Sequence, residues 1–290
     1  MYTVSAHVND VSLLKVPLTP APEFTLDVLT IKSALSSDPR IKLIYVCSPG
    51  NPTGGLIPKS QMQEILEHPT WNGIVVLDEA YIDFAPDGSS LAEWVTEWPN
   101  LVVMQTLSKA FGLAGIRLGA ALAAPPVAAL LNNLKAPYNV SSPTSAIACQ
   151  ALGKEGLAVM RVNRKKILVQ RERLLQDLPK VKGIGRFRGG TTSNFLLVEI
   201  LNKSGRPDNA TALAVYERLA EEKGVVVRFR GKEHGCLGCL RITVGTEEEV
   251  TRFMDAIGKA IEEIHGNIPE AMPNEILEEK KEAQASQVIP

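Results

Sequence analysis

The chain has 290 residues, 45% of them hydrophobic, which suits one large domain and a smaller second one. Lys and Arg number 31 against 32 Asp and Glu, so the net charge of -1 gives no electrostatic reason to expect nucleic acid or a membrane surface as a partner. A small molecule is the expected ligand. Few cysteines and no secretory pattern at the start predict a soluble, cytoplasmic protein.

Four apolar segments in the first half predict buried strands. In chain order they are Lys42–Val46, Gly73–Ala80, Leu101–Leu107 and Ile116–Leu122. A helix that opens with a proline, Pro58–His68, separates the first two. Short, continuously apolar strands between helices predict an α/β fold with a mostly parallel sheet covered on both faces.

The second half predicts a smaller α/β unit after a long helical stretch. Residues from about 145 to 178 have a largely helical pattern. The later elements are the strand FLLVEI, a helix at Asn209–Glu222, the strands GVVVRF and LRITV, and a helix at Glu247–His265. We expect a large domain at 1–158, a small domain at 159–265 and a disordered polar tail at 266–290.

Polar side chains follow three of the predicted strands in the first half. Asn51 follows the first strand, Asp78 and Tyr81 close the second, and Lys109 follows the third. Ligands of parallel sheets bind in the crevice outside the carboxyl ends of the strands. We therefore expect these four side chains to meet at one edge of the sheet.

Lys109 lies in the segment TLSKAFGLAGIRLG, whose composition suits a reactive amine. From position alone, a solvated surface lysine is the commoner reading. Partial burial beside a cation would make the amine nucleophilic enough to form an imine. Thr106, Ser108 and Arg117 could together bind a phosphate, with the guanidinium as a forked charged donor.

Asp78 follows the apolar run GIVVL, where a buried carboxylate needs a partner. It either caps the next turn or faces a cation such as a protonated pyridine nitrogen, which makes the ring an electron sink. Asn51 and Tyr81 would then bond to an oxygen of the same ring. The alternatives are an ordinary Asn-Pro turn for Asn51 and a packed aromatic for Tyr81.

Two arginines of the second unit are candidates for binding an anionic group such as a carboxylate or a phosphate. Arg241 begins LRITV, and Arg228 lies in VVVRFR, where a surface position is the alternative. Cys236 and Cys239 form a single CxxC motif, but a structural zinc site would need two more ligands. We expect no metal site.

Four segments resemble the fold type I pyridoxal-phosphate (PLP) aminotransferases in their order and spacing. They are SPGNPTGG, VLDEAYIDF, TLSKAFGLAGIRLG and CLRITVGT. The opening MYTVSAHVNDVSLLKVPL and the phrase LDEAYIDFA resemble the histidinol-phosphate aminotransferase family more narrowly. The resemblance covers about residues 1 to 262. It implies a three-layer large domain, a small C-terminal domain and a homodimer.

The resemblance also implies PLP as the cofactor and a role for each candidate residue. Lys109 would hold PLP covalently and carry the proton between substrate and cofactor. Asp78 would pair with the pyridine nitrogen, and the side chains of Asn51 and Tyr81 with the ring oxygen. The residues that would hold the cofactor phosphate are Thr106, Ser108 and Arg117.

The implied reaction transfers an amino group from glutamate to imidazole acetol phosphate, which gives 2-oxoglutarate and histidinol phosphate in histidine biosynthesis. Arg241 would bind the glutamate carboxylate and help to bind the substrate phosphate, and Arg228 would be a second phosphate contact. One alternative is a related PLP aminotransferase or decarboxylase that acts on another phosphorylated or aromatic amino acid.

The resemblance predicts an incomplete large domain. Family members carry a substantial segment before the position that matches Met1. That segment supplies an aromatic stacked on the PLP ring, contacts to the cofactor phosphate, part of the small domain and a tyrosine that reaches the partner's site. A second alternative is therefore a non-catalytic remnant.

Overall fold

The computed structural model describes residues 2–267. The helices are α1 Tyr2–Val8, α2 Val28–Ser37, α3 Lys59–Leu66, α4 Pro125–Leu134, α5 Ser142–Leu152, α6 Lys154–Asp177, α7 Asn209–Glu221 and α8 Glu247–Asn267. The strands are β1 Leu43–Cys47, β2 Ile74–Asp78, β3 Leu101–Thr106, β4 Gly119–Ala123, β5 Ile184–Phe187, β6 Phe195–Ile200, β7 Arg228–Phe229 and β8 Cys239–Thr243. Within this part of the chain, no helix is long and apolar enough to cross a bilayer.

The first sheet has the strand order β1-β2-β3-β4. Strands β1, β2 and β3 are parallel, as the sequence predicts, whereas β4 runs antiparallel to β3. Parallel neighbours need a crossover connection, usually a helix. The chain between Thr106 and Gly119 holds only a short 3-10 helix, Ala114–Ile116, so β4 returns beside β3 in the opposite direction.

The core of the first unit lies between this sheet and helices α2 and α3. Ile31 and Leu35 of α2 and Met62 and Ile65 of α3 are buried there. Each such side chain contributes about 1.5–3 kcal/mol on leaving water. The expected cover on both faces does not extend to β4, where residues 119–122 are exposed.

The second sheet has the order β5-β6-β8-β7, and every pairing in it is antiparallel. All six residues of β6, one of the two inner strands, are buried. Asp208 caps α7 by accepting a hydrogen bond from the Thr211 N–H, at 2.7 Å. Ala212 and Val215 of the same helix are buried in the core of the second unit.

Helix α6 joins the two units. The guanidinium of Arg164 donates to the Ala85 carbonyl at 2.8 Å. Arg171 donates to the carbonyls of Phe84, at 3.3 Å, and Ser193, at 3.1 Å. Residue 158 lies within α6, and a domain boundary there stays a prediction.

The predicted bounds of the C-terminal elements need two adjustments. Residues 266 and 267, placed in the tail by the sequence, form the end of α8. The rest of the predicted tail lies outside the described residues. Of the predicted strand GVVVRF, only Arg228 and Phe229 pair in the sheet.

Candidate active site

The register of the first sheet aligns the ends of its parallel strands. Cys47 is paired with Asp78, and Asp78 with Met104. The segments that follow these residues leave the sheet at the same edge, because the strands are parallel. Asn51, Tyr81 and the turn that carries Lys109 lie on those segments.

Lys109 lies on a turn that the Leu113 N–H closes by donating to the Leu107 carbonyl at 3.0 Å. Its Nζ is 5.3 Å from the centre of the Tyr81 ring. Its side chain is exposed, as in the alternative of a solvated lysine, and not partly buried. The turn lies beyond the end of β3, outside the packed part of the sheet. The amine is therefore accessible and stands next to a phenol from the neighbouring strand end.

Both oxygens of the Asp78 carboxylate accept hydrogen bonds from the chain. Oδ1 accepts from the Ala80 N–H at 2.9 Å, which is the capping contact that the sequence offered as an alternative. Oδ2 accepts from the hydroxyl of Tyr2. The Tyr2 ring in turn lies 4.7 Å from the ring of Tyr45 on β1. Each carboxylate oxygen can accept two hydrogen bonds, so turn capping and binding of a cation are compatible roles for Asp78.

The predicted phosphate-binding residues lie on one loop. The hydroxyl of Thr106 donates to the Ser108 Oγ at 3.0 Å and accepts from the Ser108 N–H at 3.1 Å. The Leu107 N–H donates to the Leu118 carbonyl at 3.3 Å, which closes the loop that carries Ser108 and Arg117. The Arg117 guanidinium is exposed and donates to the Ala114 carbonyl of its own loop at 3.1 Å.

Arg241 reaches the site from the second unit. Its Nη1 donates to the Asn51 Oδ1 at 2.7 Å, so a predicted substrate ligand and a predicted cofactor ligand are in contact. The guanidinium lies 5.0 Å from the centre of the Phe195 ring, and this ring meets Tyr81 edge-on at 5.1 Å. Arg228 is exposed and pairs with Arg241 in the register of β7 and β8.

The electrostatics around Arg241 favour an anion. Burial lowers the pKa of its guanidinium, and the charge of Arg230 adds to that shift. Among the described residues, the buried Nε of Arg241 has no hydrogen-bond partner. A carboxylate or phosphate would supply both an acceptor and a compensating charge.

Phe195 and Glu79 are contacts that the sequence did not reveal. Phe195 opens β6 and links Tyr81 to Arg241, although FLLVEI looks like an ordinary core strand. Glu79, only 1% exposed, accepts from the Ser90 hydroxyl at 2.6 Å, the Leu91 N–H at 2.7 Å and a Gln105 amide N–H at 2.9 Å. The sequence does carry one signal for Glu79. Asp78 and Glu79 are successive, and successive side chains of an extended chain point to opposite sides, so both cannot face the same edge.

Two backbone hydrogen bonds hold the loop that carries Asn51 against the second unit. The Gly190 N–H donates to the Thr53 carbonyl at 2.9 Å, and the Thr192 N–H donates to the Gly54 carbonyl at 3.1 Å. Gly189 has a φ of 75°, and a Cβ there would lie 2.2 Å from the Thr53 carbonyl oxygen. Only glycine permits this approach.

Two of the cysteines and two of the histidines are buried or hydrogen-bonded within the fold. Between residues 2 and 267 no three His, Cys, Asp or Glu side chains are grouped to hold a metal ion. Cys236 and Cys239 are buried free thiols, and burial raises their pKa values to about 11 and about 12. His68 and His265, which lack visible partners in the sequence, hydrogen-bond to the backbone.

Comparison with known families identifies the chain's lineage. A family model described as aminotransferase class I and II matches residues 1–257. The chain belongs to the class I and II aminotransferases. This confirms the resemblance that the sequence motifs indicate.

Curated relatives of this aminotransferase carry the name histidinol-phosphate aminotransferase. The protein of Schizosaccharomyces pombe is 50% identical over 268 residues, 91% of this chain and 69% of the relative. That of Candida maltosa is 49% identical, over 91% and 68%, and that of Saccharomyces cerevisiae 46% identical, over 88% and 65%. The chain thus spans about two thirds of the length of the curated relatives it matches.

Solved structures show the same fold. The histidinol-phosphate aminotransferase of Sinorhizobium meliloti in complex with pyridoxal-5'-phosphate matches with a TM-score of 0.79 at 24% identity, over 91% of this chain and 68% of that one. The enzyme of Clostridium acetobutylicum matches with a TM-score of 0.75 at 22% identity, over 90% and 75%. The α/β fold predicted from the sequence is confirmed.

Proposed function

We propose that the chain is the cofactor- and substrate-binding part of a histidinol-phosphate aminotransferase of histidine biosynthesis. This enzyme would transfer an amino group from glutamate to imidazole acetol phosphate in a reversible reaction. Relatives 46% to 50% identical over about nine tenths of the chain carry this name. The observation that carries the proposal is the meeting of an amine, a carboxylate and a phenol at one sheet edge.

The donors and acceptors at this edge fit pyridoxal phosphate. The Asp78 carboxylate suits a protonated ring nitrogen, and the side chains of Asn51 and Tyr81 suit the ring oxygen. The paired hydroxyls of Thr106 and Ser108 suit a phosphate. When bound, PLP withdraws electrons from the α-carbon of the amino acid.

Lys109 holds the cofactor and moves the proton. Its exposed Nζ is free to attach covalently to an aldehyde. The same amine, when not attached, would carry a proton between the α-carbon of the substrate and the cofactor. Tyr81, whose ring stands 5.3 Å from this Nζ, keeps the amine beside the reaction centre. Asp78 provides the negative charge that keeps the ring nitrogen protonated.

Arg241 and Arg228 select the substrates. They are opposite one another on β8 and β7, and the charge of Arg228 acts on the Arg241 guanidinium. Such a pair suits the carboxylate of glutamate in one half-reaction and the phosphate of the imidazole compound in the other. We place the enzyme in the cytoplasm as a homodimer, and the boundary between its two domains near residue 158.

Covalent trapping tests the assignment. Borohydride reduction of the purified chain with added PLP should fix a pyridoxyl group on the peptide that contains Lys109, as read by mass spectrometry. Lys109→Ala should abolish the label and amino transfer, whereas the exposed control Lys135→Ala should retain both. Labelling of a different lysine, or near-normal turnover in Lys109→Ala, contradicts the assignment.

Substrate comparison tests the specificity. Turnover of histidinol phosphate should exceed that of phenylalanine and of threonine phosphate. Asp78→Asn should lower turnover by several orders of magnitude, because a neutral amide does not keep the ring nitrogen protonated. Faster turnover of phenylalanine or threonine phosphate would reassign the substrate.

A further inference from the structure

Tyr2 reaches from α1 to the carboxylate at the centre of the site. Its hydroxyl donates to the Asp78 Oδ2, while the Asp78 Oδ1 accepts from the Ala80 N–H at 2.9 Å. One contact comes from a helix outside the sheet and the other from the end of β2. A carboxylate held at both oxygens has little freedom to rotate about its last torsion angle.

The surroundings of Tyr2 keep it a hydrogen-bond donor. Its ring packs against Tyr45 with the centroids 4.7 Å apart and the planes inclined by 35°. Burial raises the pKa of the Tyr2 phenol, and the hydrogen bond to Asp78 raises it further, so the hydroxyl is protonated at neutral pH. Cys47, paired with Asp78 in the register, is neutral too, since burial raises its pKa to about 12.

Helix α1 offers little other reason for this contact. It contains no fully buried residue, and Tyr2 is among its half-buried ones. A hydroxyl directed from such a helix to a carboxylate 76 positions away in the chain is a specific contact. It also leaves acceptor capacity on Asp78, because each carboxylate oxygen can accept two hydrogen bonds.

We propose that Tyr2 is a positioning residue whose hydroxyl fixes the Asp78 carboxylate in the orientation that receives the pyridine nitrogen of the cofactor. The inference rests on the proposed function. Tyr2 touches the carboxylate and acts through it. Binding is tighter when the receiving group is already ordered, because less conformational freedom is lost on association.

The test is a PLP titration of the 290-residue chain, followed by the absorbance of the bound cofactor. Tyr2→Phe removes the hydroxyl and keeps the ring, and Tyr45→Phe is the matched control on the stacked partner. Tyr2→Phe should weaken PLP binding about ten-fold, the scale of one hydrogen bond to a charged group. Tyr45→Phe should stay within about two-fold. The unfolding midpoint of the Tyr2→Phe apoprotein should fall by no more than about 5 °C, the effect of losing one hydrogen bond.

A double-mutant cycle assigns the effect to Asp78. In the Asp78→Asn background, Tyr2→Phe should change the Kd for PLP by less than about two-fold, because the group that Tyr2 orients is gone. In turnover, Tyr2→Phe should lower kcat and leave the KM for glutamate unchanged, since Tyr2 contacts Asp78 and the glutamate carboxylate is assigned to Arg241.

If the unmodified chain binds PLP, three results would overturn the role of Tyr2 and leave the proposed function standing. They are an unchanged PLP affinity in Tyr2→Phe, an equally large loss of affinity when Tyr2→Phe is made in the Asp78→Asn background, and a loss accompanied by a fall of more than about 5 °C in the unfolding midpoint of the apoprotein. The last would indicate a general effect on the fold. If the unmodified chain itself takes up no PLP, the proposed function fails and this role fails with it.

Discussion

Replacing Glu79 measures how firmly the ends of β2 and β3 are tied together. In Glu79→Ala, the Ser90 hydroxyl, the Leu91 N–H and the Gln105 amide lose their common acceptor. The side chains of Ser90 and Gln105 are half-buried and can turn toward water, whereas Leu91 is only 3% exposed and its N–H stays unpaired. A buried unsatisfied group costs about 1–3 kcal/mol, and each lost bond to a carboxylate about 1.5–3 kcal/mol before water replaces it.

We therefore expect Glu79→Ala to lower the free energy of unfolding by about 3–5 kcal/mol, and Glu79→Gln by about 1–2 kcal/mol because it keeps an acceptor for Leu91. Urea unfolding followed by circular dichroism measures both. For a chain of this size the alanine variant should melt roughly 10 °C lower. The exposed control Glu93→Gln should stay within about 0.5 kcal/mol. A loss below about 1 kcal/mol in Glu79→Ala would refute the reasoning.

Three further predictions concern charge and reactivity. Burial raises the pKa of Asp83 more than the charge of Arg164 lowers it, so folding favours the protonated form and stability is lost as pH rises through the raised value. Asp83→Asn should thus raise the unfolding midpoint at neutral pH, and the gain should vanish below the ordinary value of 3.8. Arg241→Gln should raise the KM for glutamate by about 10- to 100-fold in steady-state assays, and an unchanged KM would exclude carboxylate binding there. Iodoacetamide at mildly alkaline pH should label exposed Cys149 well before buried Cys239, and equal rates would contradict the burial.

Much of the fold follows from local patterns in the sequence. The apolar runs predict β1, β2, β3, β6 and β8 within one or two residues, because continuous burial leaves a strong signal. The direction of β4 is not such a pattern, since pairing depends on the route of the connecting chain. Strand β5, Ile184–Phe187, was missed because IGRF is short and holds a glycine and an exposed arginine.

The site is predictable where a side chain follows a strand and unpredictable where it arrives from elsewhere. Asp78 and Lys109 are visible because polar residues end apolar runs. The contact of Tyr2 with Asp78 spans 76 positions, and that of Arg241 with Asn51 spans 190. Such pairs depend on how distant parts of the chain pack together, which no local pattern encodes.

The backbone hydrogen bonds at Thr53 and Gly54 make the loop that presents Asn51 depend on the second half of the chain for its shape. The donors that hold the carbonyls of Thr53 and Gly54 come from Gly190 and Thr192, more than 130 residues along the chain. A polypeptide ending within α6 would carry Asn51, Asp78 and Lys109 and still lack the partners of the loop that presents Asn51. Two separately produced halves should therefore regain this loop only on reassociation, which makes cofactor uptake a reporter of fragment complementation.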